Sequence, residues 1–166
     1  RWQSVPVKEQ LRVLCVNGKP ATANMNGATD YLALALDPEA GDSIAPGVVA
    51  VDVILESALL ERDLSRYDCI FLCNVAQFTA SEAQVLHNVL SRGGGVVFFL
   101  GDQVLAERYN RELAGDEATR VLPATIGEVV ADGQQQHRLD PLNYRHPLLR
   151  VFEGREQSGL LTTPIY

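Results

Sequence analysis

The stretch GGGVVFFLGDQ, residues 93–103, decides the fold. Three glycines end whatever precedes them. Five apolar, β-branched or aromatic residues follow, the signature of a strand buried on both faces, as strands of parallel sheets are. Gly101, Asp102 and Gln103 then turn the chain towards a helix beginning DQVLAERYNREL, residues 102–113. Many α/β enzymes place a nucleophile on such a bend at a strand's carboxyl end. This bend carries neither Cys nor Ser.

Working outward, the same alternation recurs. LRVLCVNG predicts a first strand over Leu11 to Val16. GATDYLALALDP predicts a helix with Tyr31, Leu32, Ala35 and Leu36 on one face, closed by Pro38. GVVAVDVILES reads as the second strand and ALLERDLSRY as a short helix or turn. YDCIFLCNV, nearly all apolar, reads as the third strand. TASEAQVLHNVLSRGGG is the clearest helix: Thr79 or Ser81 can cap it, Glu82 supplies the capping-box acid, Val85, Leu86, Val89 and Leu90 form its stripe, and Gly93 ends it. Strands alternating with helices over short connections specify a parallel sheet covered on both faces, and right-handed crossovers make it a doubly wound, flavodoxin-like α/β fold of three layers with order 2-1-3-4. Beyond Gly115 the pattern loosens to one strand around Ile126 to Val130 and an irregular tail from Leu139 onward.

The chain has 166 residues, 46% of them hydrophobic, enough for one globular domain over 1–166 with a real core. Its formal net charge of −7, with Arg62, Arg66, Arg108 and Arg111 scattered rather than aligned, excludes a nucleic-acid partner. The apolar runs are too short to span a bilayer. The chain opens without Met and closes on LLTTPIY, which reads as the start of a strand. We therefore expect an excised part of a longer polypeptide, with any membrane contact made only through flanking segments. Cys15, Cys69 and Cys73 all lie in apolar strands and read as buried free thiols. Cys69 and Cys73, four apart on one strand, are separated by about 13 Å, beyond disulfide reach. Zinc-type spacing is absent, and neither a metal nor a cofactor is expected.

In a sheet of this kind ligands gather at the carboxyl ends of the strands. Those ends carry Asn17, Gly18 and Lys19; Asn74, Val75 and Ala76; and Gly101, Asp102 and Gln103. Asn17, Gly18, Asn74, Gly101, Asp102 and Gln103 are therefore the candidate ligand-binding residues. If the domain is an enzyme, Asp102, Cys73 and His146 are the candidate catalytic groups. Cys73 is the cysteine nearest a strand's end, and His146, held before Pro147, reads either as a base or as a fixed loop residue. His87 is expected on the surface of its helix and His137 in a polar loop. The loop Asn24–Thr29 could offer amides to an anion or nucleotide. A phosphoryl-accepting receiver site is excluded, because Asn17 and Asn74 stand where that chemistry needs acids. Asp102 also reads as an N-cap for a helix starting at Gln103 or Val104.

VLCVNGKP (13–20), YDCIFLCNVAQFTASEAQVLHNVLSRGGGVVFFLGDQV (67–104) and YRHPLLRVF (144–152) together resemble the class I glutamine amidotransferase-like superfamily. Within it the chain is similar to the ThuA-like branch and to domains of BatA-like bacterial membrane proteins that carry von Willebrand A modules. The resemblance covers roughly residues 11 to 152 and implies the flavodoxin-like sheet. In amidotransferases the fourth-strand bend bears Gly-x-Cys-x-Gly, with a His and a Glu later. Here Phe98, Phe99, Leu100, Gly101 and Asp102 occupy that stretch, so Phe99 or Leu100 falls at the Cys position, and neither attacks an amide. The resemblance thus implies a non-catalytic binding or scaffolding domain of a larger, membrane-anchored bacterial protein, contacting its own neighbouring domains or protein partners. The alternative is a hydrolase or amidotransferase-type enzyme using Asp102 or Cys73.

Overall fold

The computed structural model describes residues 9–21, 25–38, 47–116, 119–128, 137–155 and 159–163. The chain divides into two compact units, Arg1–Gly127 and Glu128–Tyr166. The first contains β1 (Leu11–Asn17), α1 (Asp30–Leu36), β2 (Val49–Leu55), two 3-10 turns (Glu56–Glu61 and Leu64–Arg66), β3 (Cys69–Cys73), α2 (Ala80–Ser91), β4 (Gly95–Phe99) and α3 (Ala106–Leu113). The four strands form one sheet, all parallel, in the order β2-β1-β3-β4. The expected α/β alternation and strand order are those of the molecule.

Strand register sorts the side chains onto two faces, because residues paired across a parallel ladder point the same way. Leu14 pairs with Ile70 and Val16 with Leu72, and these sit in one core with Ile54, the half-buried Phe98, and residues from the helices. From α2 come Ala83, Leu86 and Val89, from α3 Tyr109 and Leu113, and from the 3-10 turns Leu59 and Leu64. Phe78, Phe98 and Tyr109 meet edge to face, with centroids 5.0–6.3 Å apart. The opposite face carries Val13, Cys15, Asn17 and Cys73, all buried, in rows that end outward in exposed Val53, Leu55 and Phe99. The asymmetry follows from crossover hand: β1 to β2 runs one way across the sheet and β2 to β3 to β4 the other, so their connections fall on opposite faces. Phe99, 49% exposed, stacks on Phe71 at 6.0 Å.

Local rules account for α2 in full. Thr79 caps it and Glu82 returns the bond, so the capping box is complete and Ser81 plays no part in it. Gly93, at φ +85°, ends it where a Cβ would be strained. Other expectations need correction. The inward residues of α1 are Leu32, Ala33 and Leu36, while Tyr31 and Ala35 face solvent. No strand forms over residues 126–128, and residues 129 and 130 lie outside the described residues. The backbone of Ile126 is instead satisfied by the Asn110 carboxamide, which receives its N–H and donates to its C=O, both at 2.8 Å. His87 is half-buried, not on the surface, with its Nε2 paired to Ser91 Oγ at 3.1 Å.

In the second unit, regular structure among the described residues is limited to a turn at Leu142–Tyr144, whose residues take positive φ, and the one-turn helix α4 (Pro147–Arg150). Among the described residues no helix is long and apolar enough to cross a membrane. Leu86→Ala, at a fully buried position, is expected to cost about 3 kcal/mol in urea unfolding. Leu34→Ala, on the exposed side of α1, should change stability by less than about 0.5 kcal/mol.

Candidate functional site at the carboxyl edge of the sheet

β1, β3 and β4 end side by side, and the turns that leave them interlock. At the end of β1, Asn17 Oδ1 accepts the Lys19 N–H at 3.0 Å, a local turn that aims the Lys19 stem over the edge. The Gly18 N–H continues the ladder by donating to Cys73 O at 2.9 Å. Gly18 lies flush on the Asn74–Val75 backbone, where a Cβ would collide with the Asn74 carbonyl, so this position accepts only glycine.

Asn74 follows β3 with φ +53°, a left-handed conformation that Asn tolerates better than most residues. It is buried, and its polar groups are used in three directions. The backbone N–H donates to Phe99 O at 2.8 Å. Oδ1 accepts the Gln103 N–H at 3.0 Å, and Nδ2 donates to Asp102 Oδ1 at 2.7 Å. Gly101 packs against this carboxamide so closely that any side chain there would strike it. Gln103 Nε2 donates back to Gly18 O at 3.2 Å. The turn after Asn74 is anchored equally well: Tyr109 OH donates to Val75 O at 2.7 Å, and Leu105 N–H donates to Ala76 O at 2.9 Å.

Asp102 closes the group. Its Oδ2 meets Lys19 Nζ at 2.5 Å, and the two side chains are 65% and 50% exposed. The Lys19 ammonium first, then the Asn74 amide, hold the Asp102 carboxyl below its usual range. The expected capping role is corrected by this geometry. α3 begins at Ala106, its N-cap is Leu105, and no side chain caps it. Asp102 lies too far upstream and its carboxylate is engaged elsewhere.

All six ligand-binding candidates therefore come together at one edge, Asn17, Gly18, Asn74, Asp102 and Gln103 through hydrogen bonds and Gly101 by packing on Asn74. Sequence reasoning placed Lys19 at the same edge but missed its pairing with Asp102, and missed the left-handed Asn74. The signal available was an Asn closing an apolar strand between two other Gly-containing turns. Of the candidate catalytic groups, Asp102 belongs to this cluster. Cys73 is buried, and burial alone pushes its thiol up to about 11, the reverse of what a nucleophile requires. His146 belongs to the second unit, where its Nδ1 accepts the Leu148 N–H at 3.2 Å and caps α4. His137 is exposed. Among the described residues no cluster of His, Cys, Asp and Glu has metal-site geometry. In the loop after β1, Asn24 lies outside the described residues. The Gly27 N–H is taken by Asp30 Oδ2 at 2.9 Å and the Ala28 N–H by Lys19 O at 3.1 Å, so an anion there would compete with the chain's own acceptors.

Two tests follow from the packing. Gly101→Ala drives a methyl into Asn74 and should destabilise by about 2 kcal/mol. Asn74→Ala strands its partners and should cost about 3 kcal/mol, whereas Asn74→Gly should cost about 1 kcal/mol less because glycine adopts positive φ freely. A third concerns the thiols. Cys15 lies diagonal to Cys69 and Cys73 on one face, and burial, then the neighbouring thiols, push it up to about 12 from 9.0. These raised values predict slow labelling of native Cys15 and Cys73 by a small thiol reagent at neutral pH. With the unfolded thiols ionising near 9.0 and the folded ones above it, unfolding free energy should fall as pH rises from about 9 to about 12. Comparison with protein-family models, with curated protein sequences and with solved structures returns no match to this chain.

Proposed function

We propose that the chain is a non-catalytic binding or scaffolding module with a flavodoxin-like, amidotransferase-like architecture, part of a larger, membrane-anchored bacterial protein. The observation that carries the reading is the state of the carboxyl edge, where doubly wound sheets keep their ligand sites. Its polar groups are spent on one another: Asp102 on Lys19 and Asn74, Asn74 on Asp102 and Gln103, Gln103 on Gly18. A general acid or base needs a raised or tuned pKa, and Asp102 is lowered by its partners. A nucleophilic Cys73 needs a lowered one, and its thiol is raised. The two edge strands each leave apolar side chains exposed, Val53 and Leu55 on β2 and Phe99 on β4, and these are open to contact with other domains or proteins. The larger bacterial setting rests on the resemblance of residues 13–20, 67–104 and 144–152 to the BatA-like group.

The competing enzyme reading is separated by turnover. The purified chain incubated with L-glutamine, p-nitrophenyl esters and p-nitrophenyl glycosides should release product no faster than buffer. Turnover that disappears in Asp102→Asn or Cys73→Ala would refute the proposal.

A further inference from the structure

We propose that Lys19 and Asn74 form a carboxylate-binding site that the chain occupies with its own Asp102. The two donors approach different oxygens of one planar group: Lys19 Nζ takes Oδ2 at 2.5 Å and Asn74 Nδ2 takes Oδ1 at 2.7 Å. That division of labour fits a carboxylate, with one charged and one neutral donor in a fork. The neutral donor is built into the fold. Asn74 is 91% buried, its Oδ1 is fixed by the Gln103 N–H, and Gly101 leaves space for its carboxamide alone. Its Nδ2 therefore points outward at a set place whether or not Asp102 is there.

The occupant is far less constrained than the Asn74 donor. The Asp102 side chain is 65% exposed and sits in a turn outside β4 and α3. A tethered carboxylate competes with a free one through its high local concentration, so the site is masked rather than absent. The cluster also lies between β1 and β3, where the chain's connections diverge to opposite faces and doubly wound sheets place their ligands. The ligand class is a small carboxylic acid, or the side-chain or terminal carboxylate of a partner segment. The two sources share one chemistry. This assignment rests on the carboxyl edge being a binding surface and not a reacting one.

The experiment removes the internal carboxylate and offers acetate. In the Asp102→Ala chain, acetate should give a saturable shift of the Asn74 side-chain amide and Gln103 backbone amide resonances in 1H–15N spectra. The double variant Asp102→Ala/Lys19→Met should bind about tenfold more weakly, the scale expected for one charged hydrogen bond, and wild type, where the tethered carboxylate competes, at least about tenfold more weakly. Asp102→Asn, which refills the site, should not respond. A capped aspartyl dipeptide matching acetate places the source in a peptide; acetate binding alone places it in a free acid. If Asp102→Ala does not fold by itself, acetate should restore its folded spectrum. Absence of a saturable shift or of that restoration, equal affinity in wild type or in the double variant, or inorganic phosphate binding as well as acetate, each overturns the proposal. Turnover measured on the same samples tests the binding reading separately, since acetate binding and catalysis report different failures.

Discussion

One carboxamide sets the geometry of the whole carboxyl edge. Asn74 is buried at the end of β3, and a buried amide must spend its donors and acceptor inside the protein or destabilise the fold. It does so by reaching across to the turn after β4, through Asp102 and the Gln103 N–H, while its backbone N–H ties to Phe99. The left-handed φ of +53° aims the side chain in that direction. Two glycines exist to serve it. Gly18 lets the β1 turn press on its backbone, and Gly101 lets the β4 turn press on its side chain. Strain at one residue is thus offset by polar contacts to two neighbouring turns, an arrangement typical of sites held in a fixed shape.

Below that edge, the sheet has one well-covered face and one that is partly open. The covered face holds the continuous core, from Leu14 and Ile70 through Leu86 to Tyr109. Tyr109 links the two levels. Its ring joins Phe78 and Phe98 in the core, and its hydroxyl donates to Val75 O in the turn that follows Asn74. The open face ends in Val53, Leu55 and the Phe71–Phe99 stack. Its interior keeps Cys15 and Cys73 away from water, and that burial pushes both thiols up, away from the thiolate form.

The electrostatics of the edge favour a charged carboxylate at Asp102. Catalytic carboxylates are placed among groups that raise or split their pKa values. Asp102 meets an ammonium and an amide, both of which favour its charged form, in the open where water competes for it. Such a pair holds turns together and adds little stability by itself.

The sequence by itself determined the elements whose signals are local. The period of apolar residues, the Thr79–Glu82 box and the Gly93 stop define α2, and the apolar runs define β1 and β4 to within a residue and β3 to within two residues at each end, because those choices depend on neighbours within one turn or one strand. Handedness of the crossovers then leaves few strand orders, and the observed one is among them. It also brought the six edge residues into view, since strand ends are readable wherever strands are. Only the tertiary structure decided what those residues do. Asp102 reads locally as a helix cap, yet its partners, Lys19 and Asn74, are 83 and 28 residues away. Ile126 reads as strand, yet a side chain 16 residues back satisfies its backbone. Hydrogen-bond partners chosen across that separation depend on where whole strands end relative to one another, and no window of sequence encodes that.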